Sequence, residues 1–370
     1  MHKKLIFQIL PFVLTILLGG CSFFDKFIQI GPDSVQDSRG EFNTVIAETN
    51  DSQSLLNLVK RRYGDSISVL EVSSVSTSIE WKRGGSFLVN IFDAGGSDAD
   101  NIGIGGNAQY TEKPTITYLP LKGGDFIKKV LSPVDTDMLM LLSRSGWRMD
   151  RILNLTVNNI NGIDNAHTAS GPTPALAPSF KKFDEFLAAM TTIERANLQF
   201  GYILNENKDR QLALYFKKES LQNPDIQNLI KLMNLDGKSN IYPIYSELET
   251  EENQSEIQID FRSLAGIQFF LSHGIIVPEE HLEEGLVQIT KNPDGTDFNW
   301  SEITGELITI YSSKNEPIQG SAKVFYRDYW FYIKDSDITS KYTFMLLNQI
   351  ESLQSGEIKE SGPTLTLPVN

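Results

Sequence analysis

Apolar positions recur along this chain with two periods, one near 3.6 residues and one of 2, and each change of period marks an element boundary. Leu55, Leu56, Leu58 and Val59 share a helical face, with Asp51 or Ser52 as the starting cap and Gly64 as the stop. A β-rich stretch comes next, in which 67–81 and 86–92 flank Lys82-Arg83-Gly84-Gly85, a turn signal that predicts a hairpin. Ser73, Ser74, Ser76 and Ser78 alternate with Val75, Thr77 and Ile79, as in a strand with one wet face. Residues 93–107 read as a glycine and aspartate loop and 115–119 as a strand. Short helices are expected over 124–131 and 135–143, the second stopped by Gly146, and 151–159 reads as a strand.

The second half alternates more clearly. Phe180, Phe183, Leu187, Met190 and Ile193 recur at helical spacing behind a Pro178-Ser179 start. Strands at 197–204 and 211–217 predict a hairpin around 205–209, and Ile226, Leu229, Ile230 and Met233 mark a helix ended by Gly237. Strands at 241–248 and 256–261 precede a helix at 263–273, and 278–284 adds a turn or two. Strands at 305–311, 322–326 and 329–333 predict a meander. The last helix, stopped by Gly356, carries a stripe of Ile338, Tyr342, Met345, Leu346, Ile350 and Leu353 to pack on it. Strands that come in hairpins, with helices between the groups, predict an α+β fold of antiparallel hairpins and meanders packed with several helices.

The expected organisation is a leader over 1–20, a polar tether over 21–41, an α+β domain over 42–165 and a second one over 179–356. A Pro/Gly-rich linker or loop at 166–178 contains Ser170-Gly171-Pro172-Thr173-Pro174, and a disordered tail covers 357–370. Whether 42–356 forms one domain or two is left open by the pattern.

The first residues change the picture more than any composition figure. Lys3 and Lys4 precede an uncharged stretch from Leu5 to Leu18, 14 residues long. As a helix it would reach about 21 Å, short of the roughly 30 Å needed to span a bilayer core, so a cleaved signal peptide fits better. It closes on Leu17-Leu18-Gly19-Gly20-Cys21, which resembles the lipobox of bacterial lipoproteins. The resemblance implies cleavage after Gly20 and lipidation of Cys21, the single cysteine, which has no disulfide partner in the chain. Ser22 stands where the inner-membrane retention signal of such proteins has aspartate, which implies the outer membrane as destination, lipid-anchored with the body in water. Loss of 1–20 moves the formal charge from −14 to −16, a surface that repels phosphate backbones and excludes nucleic acid as a partner.

Two stretches carry a further likeness. Leu56-Asn57-Leu58-Val59-Lys60-Arg61-Arg62-Tyr63-Gly64 with Leu70-Glu71-Val72-Ser73-Ser74, and Tyr326-Arg327-Asp328-Tyr329-Trp330-Phe331-Tyr332-Ile333 with Ser340-Lys341-Tyr342-Thr343-Phe344, resemble a family of bacterial envelope proteins without an assigned activity. The likeness runs over most of the mature chain, including Ser170 to Pro174. It implies one co-evolved unit and brings no catalytic residue with it.

Catalytic motifs are incomplete wherever they begin. Gly103-Ile104-Gly105-Gly106-Asn107-Ala108 partly matches a dinucleotide fingerprint but opens no helix, and reads as a loop. Asp98, Asp100 and Asn101 are followed by Ile102 and Gln109 where a calcium loop needs acids; these, Asp294 and Asp297 read as solvated. Ser179 and Lys182 have the Ser-x-x-Lys spacing of some acyl-transfer enzymes without its companion motifs, and read as a helix cap and an exposed lysine. His273 and His281 near Glu279, Glu280, Glu283 and Glu284 lack a zinc array and read as an acidic solvated helix face. No metal or cofactor is implied.

The densest aromatic cluster is Phe325, Tyr326, Tyr329, Trp330, Phe331 and Tyr332. Alternation puts Trp330 and Tyr332 on one sheet face and Tyr329, Phe331 and Ile333 on the other. Burial under the last helix accounts for one face; the other is either more core or a platform for a sugar or peptide, with Tyr329, Trp330 and Tyr332 as its candidate residues. The sequence therefore points to a lipid-anchored envelope protein with a non-catalytic structural, assembly or binding role, partnered by the membrane and by envelope proteins. The alternative is a periplasmic hydrolase using paired carboxylates.

Overall fold

The computed structural model describes residues 32–67, 70–89, 102–120, 130–193, 197–205, 207–246 and 253–356. The leader, Cys21, residues 98–101 and the tail expected from 357 lie outside the described residues. The fold is α+β. The chain divides into two units, Met1–Ser66 with Pro133–Asn370, and Ile67–Ser132.

The smaller unit is a hairpin of two long strands, β1 (Leu70–Val89) and β2 (Ile102–Pro120), paired antiparallel from Leu70↔Pro120 to Val89↔Ile102 with one bulge between Val72 and Ser74. The turn expected at Lys82–Gly85 is not there. Arg83 pairs with Ala108, Gly84 with Asn107 and Gly85 with Gly106, so both glycine runs lie inside strands. The period of 2 continues through Trp81, Arg83, Gly85 and Phe87, and this long ladder outweighs a four-residue turn propensity. Gly103–Ala108 is accordingly strand, with no helix behind it for a phosphate to cap.

In the larger unit, α1 (Pro32–Arg62) begins well before the expected cap and takes in part of the expected tether. Its residues around 43–50 are mostly exposed, and burial starts at Ser54 and Leu55. Helix residues that face water on all sides leave no apolar period to read. The end of α1 is legible: Gly64 takes φ +71° and Asp65 N–H donates to the Lys60 carbonyl at 2.8 Å, the left-handed glycine stop of a helix.

Helix α2 (Thr136–Arg144) is capped by Asp135, which accepts from Met138 N–H. Next, α3 (Met149–Thr156) occupies most of the stretch expected as a strand, and only β3 (Val157–Ile160) is extended. Ile152, Leu153, Leu155 and Thr156 are buried at helical spacing, a run too short for composition to separate from a strand. After β4 (Ile163–Asp164) come α4 (Lys181–Thr192), the hairpin β5 (Leu198–Leu204) and β6 (Arg210–Phe216), α5 (Pro224–Leu232), β7 (Ile241–Tyr245), β8 (Ile257–Phe261) and α6 (Leu264–Ser272). Six strands form one sheet in the order β4-β3-β8-β7-β6-β5, antiparallel except for β7 beside β8.

Because β3 pairs with β8, one sheet joins the stretches on either side of 166–178, and the chain does not divide there. Arg262 fixes that crossing. It is fully buried, donates to Ser170 Oγ (2.8 Å) and to the carbonyls of Asn154 (2.9 Å), Leu155 and Asn165, and stacks 3.9 Å over Phe270. Burial lowers its pKa to about 9, partly offset by Asp164 and Asp260.

The chain closes with α7 (Glu279–Glu283), α8 (Ser301–Thr304), a three-stranded antiparallel sheet and α9 (Ile338–Gly356). The sheet runs β10 (Ala322–Tyr326), β11 (Tyr329–Ile333), β9 (Tyr311–Ser313). The first strand of the expected meander starts late, because residues before it form α8 and its exit. Gly274 marks the closest approach here: a Cβ would sit 2.5 Å from the Ile308 carbonyl oxygen. Along α9 the stripe is displaced from the one expected. Ile338, Tyr342 and Met345 are exposed, whereas Ser340, Thr343, Phe344, Leu347 and Ile350 are buried. Buried hydroxyls at Ser340 and Thr343 disguise the inward face. Arg61, Gln268, Glu351 and Ser54 link α1, α6 and α9 through hydrogen bonds of 2.7–2.8 Å.

Candidate functional site

The two faces of the three-stranded sheet have separate fates. Phe331 and Ile333 are fully buried against the core, and Tyr63 from the end of α1 meets Phe331 edge-on at 6.0 Å. The opposite face stays open. There Phe325 pairs with Trp330, Lys323 with Tyr332, and Tyr332 with Tyr311 across the strands. Phe325 and Trp330 lie 5.4 Å apart and Tyr311 and Tyr332 5.9 Å apart, all tilted rings. Phe325 is 52% exposed, and the other three rings are half-buried.

Two ammonium groups sit on this aromatic face. Lys334 Nζ lies 3.7 Å over Tyr311, and Lys323 Nζ lies 5.8 Å over Trp330 while bonding Glu316 at 2.6 Å. A half-dry face of flat rings with displaceable cations can stack a planar or ring-shaped ligand at low entropic cost. Of the three residues expected to form the platform, Trp330 and Tyr332 share this face. Tyr329 does not: its ring meets His281 edge-on at 5.0 Å, and its hydroxyl donates to Glu280 Oε2 at 3.0 Å. Tyr311 and the two lysines escape a reading of the aromatic cluster alone; the Lys323-x-Phe325 alternation leading into the turn is the signal that places a lysine here.

The strands β10 and β11 meet through Arg327 and Asp328, both left-handed with φ +48° and +64°. Such turns match the twist of a hairpin but favour Asn and Gly. Here Arg327 is tied down by Asp65 at 2.9 Å and lies over the rings of Tyr63 and Tyr326. Tyr326 also donates to Asp65, and these two bonds hold the Asp65 carboxyl below its ordinary range, the phenol contributing more. Beneath them, Tyr63 and His281 Nδ1 share a 2.6 Å bond whose direction depends on the imidazole tautomer. His281 is buried, not part of a solvated face, although Glu279, Glu280, Glu283 and Glu284 are exposed as expected.

His273 is buried as well. It stacks on Trp300 with ring centres 3.7 Å apart, and neither ring nitrogen has a hydrogen-bond partner. Burial first, and Arg62 second, depress its pKa to about 3; the Ala169 carbonyl opposes this from outside hydrogen-bonding geometry. Ser179 does not cap α4, whose starting residue is Phe180 with no side-chain cap; Lys182 is exposed. Asp294 accepts from Thr296 and Asp297 pairs with Lys291, in keeping with wet acids. Among the described residues there is no group of three or more His, Cys, Asp or Glu able to hold a metal ion. Asp184 is exposed, yet shielding by its surroundings and, second, the nearby Glu306 lift its carboxyl to about 6.

A separate groove of about 530 Å³ lies between the α2–α3 connection, the end of α4 and β5, lined by Arg148, Asp150, Met190, Thr191, Gln199 and Phe200 among others. Its walls come from segments some 50 residues apart, so no local motif announces it.

No family model matches the chain, and neither do the curated proteins or the solved structures.

Proposed function

We propose that this chain is a lipid-anchored protein of the cell envelope, fastened through Cys21 to the outer membrane, with a non-catalytic binding or assembly role. The observation that carries the binding role is the open aromatic face of Trp330, Tyr332, Phe325 and Tyr311, backed by a sheet whose other face is core. Side chains held by a rigid sheet are pre-organised, so little rotamer freedom is lost when a ligand stacks on them. The acidic charge of the whole chain keeps the body soluble beside an anionic surface, while Lys323 and Lys334 give this one face a local positive rim.

A photo-crosslinking residue at position 330 in living cells tests the role. It should capture one recurrent envelope component, lost when Tyr332→Ala and Phe325→Ala are added; crosslinks no different from those of an exposed control at Leu176 would remove the binding role. Intact-mass analysis tests the anchor independently, because an unmodified Cys21 thiol removes it. The hydrolase reading has Asp184 and Glu306 in its favour, a carboxylate pair with one member titrating near 6; retention of any hydrolytic activity by Asp184→Asn would dispose of it.

A further inference from the structure

The hairpin β1–β2 is the one described element whose amphipathic pattern is complete while its backbone pairing is not. Register divides it into two faces. One carries Val75, Thr77, Ile79, Trp81, Phe87 and Val89 on β1, and Ile102, Ile104, Ala108, Tyr110, Ile116 and Tyr118 on β2. The other carries Ser74, Ser76, Ser78 and Ser86 opposite Thr117, Thr115, Lys113 and Gly105, together with Asn107, Gln109 and Thr111. Small polar residues on one face and aliphatic or aromatic ones on the other, at period 2, are the signature of a barrel strand that separates lipid from a wet lumen.

The charges are arranged to suit a bilayer. The sequence has no charged residue from Gly84 to Phe92 or from Ile102 to Thr111, runs of nine and ten residues. A tilted strand needs about 9–11 to cross the hydrocarbon core. At the end of the ladder where both runs stop, Trp81 pairs directly with Tyr110, and Glu80, Lys82, Arg83, Glu112 and Lys113 crowd the same level. Aromatic residues followed by charges mark the level of the head groups.

Two strands alone satisfy neither environment. In water an isolated hairpin is marginal at best. In lipid its two outer edges would expose unpaired N–H and C=O groups, each costing several kcal/mol, which only closure with further strands removes. We infer that the hairpin inserts into the outer membrane and that the missing strands are the same hairpin of other copies of this chain, closing an oligomeric β-barrel. Two strands per copy and about eight strands in the smallest such barrels set a lower bound of about four copies. Self-pairing is favoured because every copy offers one β1 edge and one β2 edge, so head-to-tail repetition leaves none open when the ring closes. The inference rests on the outer-membrane location proposed above, and it turns the assembly role into a pore.

The test uses the full chain with its leader, in cells, carrying single cysteines at Ser86 and Asn107 on the polar face or at Phe87 and Ile104 on the apolar face. A membrane-impermeant maleimide should label the first pair at least tenfold faster than the second. The purified full chain in planar bilayers should give stepwise conductance, which disappears when residues 84–107 are deleted. Equal labelling of the two faces, or alternation without conductance, overturns the inference. Labelling of the wild-type chain reports a free Cys21, which defeats the lipid anchor but leaves the alternation among the four positions as a separate result.

Discussion

The β1–β2 hairpin and the β9–β10–β11 sheet are both amphipathic antiparallel ladders rich in Tyr, Trp and β-branched residues, yet they reach stability by different routes. The three-stranded sheet turns Phe331 and Ile333 onto a core that already contains Tyr63 and His281. The hairpin forms a unit of its own, with no third strand among the described residues. Alternation alone therefore says that a strand has two environments, and neighbouring elements decide whether the apolar one is protein or something outside the chain.

Phe331→Ala attacks this contrast hardest. Loss of a fully buried ring should lower unfolding stability by about 3–5 kcal/mol in a denaturant titration. Phe87→Lys, the corresponding insult to the hairpin's apolar face, should cost membrane insertion about 2–4 kcal/mol at mid-bilayer depth. The same change should shift the body's unfolding by less than about 0.5 kcal/mol. A large loss of body stability from Phe87→Lys would mean that the two ladders share a core.

Acid should separate them too. His273 takes up its proton near pH 6.5 when unfolded but only at about 3 when folded, so between these values the unfolded chain binds the extra proton. Its contribution is fully present above pH 6.5 and is lost as pH falls toward 3. Relative to His273→Phe, which keeps a ring on Trp300, wild type should lose up to about 3 kcal/mol by pH 4, measured as the difference between their urea midpoints. The smallest effect belongs to the turn of the three-stranded sheet. Asp328→Gly relieves a left-handed residue at some cost in chain entropy, and should raise the urea midpoint by the equivalent of about 0.5–1 kcal/mol.

Much of the body is legible in the sequence because its helices carry strong caps and clean apolar stripes, as at Asp135 and Ser263. Failures cluster where local signals compete with long-range pairing. Lys82-Arg83-Gly84-Gly85 looks like a turn in isolation and becomes strand because β2 extends past it. Residues 166–178 look like a linker until Arg262, distant in sequence, is seen to hold them through Ser170 and Asn165. Of the candidate platform, alternation places Trp330 with Tyr332. Tyr329 is split from them by the same alternation, and Tyr311 enters only through strand register.

Helix α1 has one consequence for a body held at a bilayer through Cys21. Its stretch from Pro32 to about Asn50 acts as a rotary spacer. Each inserted residue lifts the body by about 1.5 Å and also swivels it by roughly 100°. Seven added residues would raise the body by about 10 Å while nearly restoring its bearing, whereas five would raise it less and point it elsewhere. Height and heading are geared together, so evolution can lengthen this stalk freely only in near-whole turns.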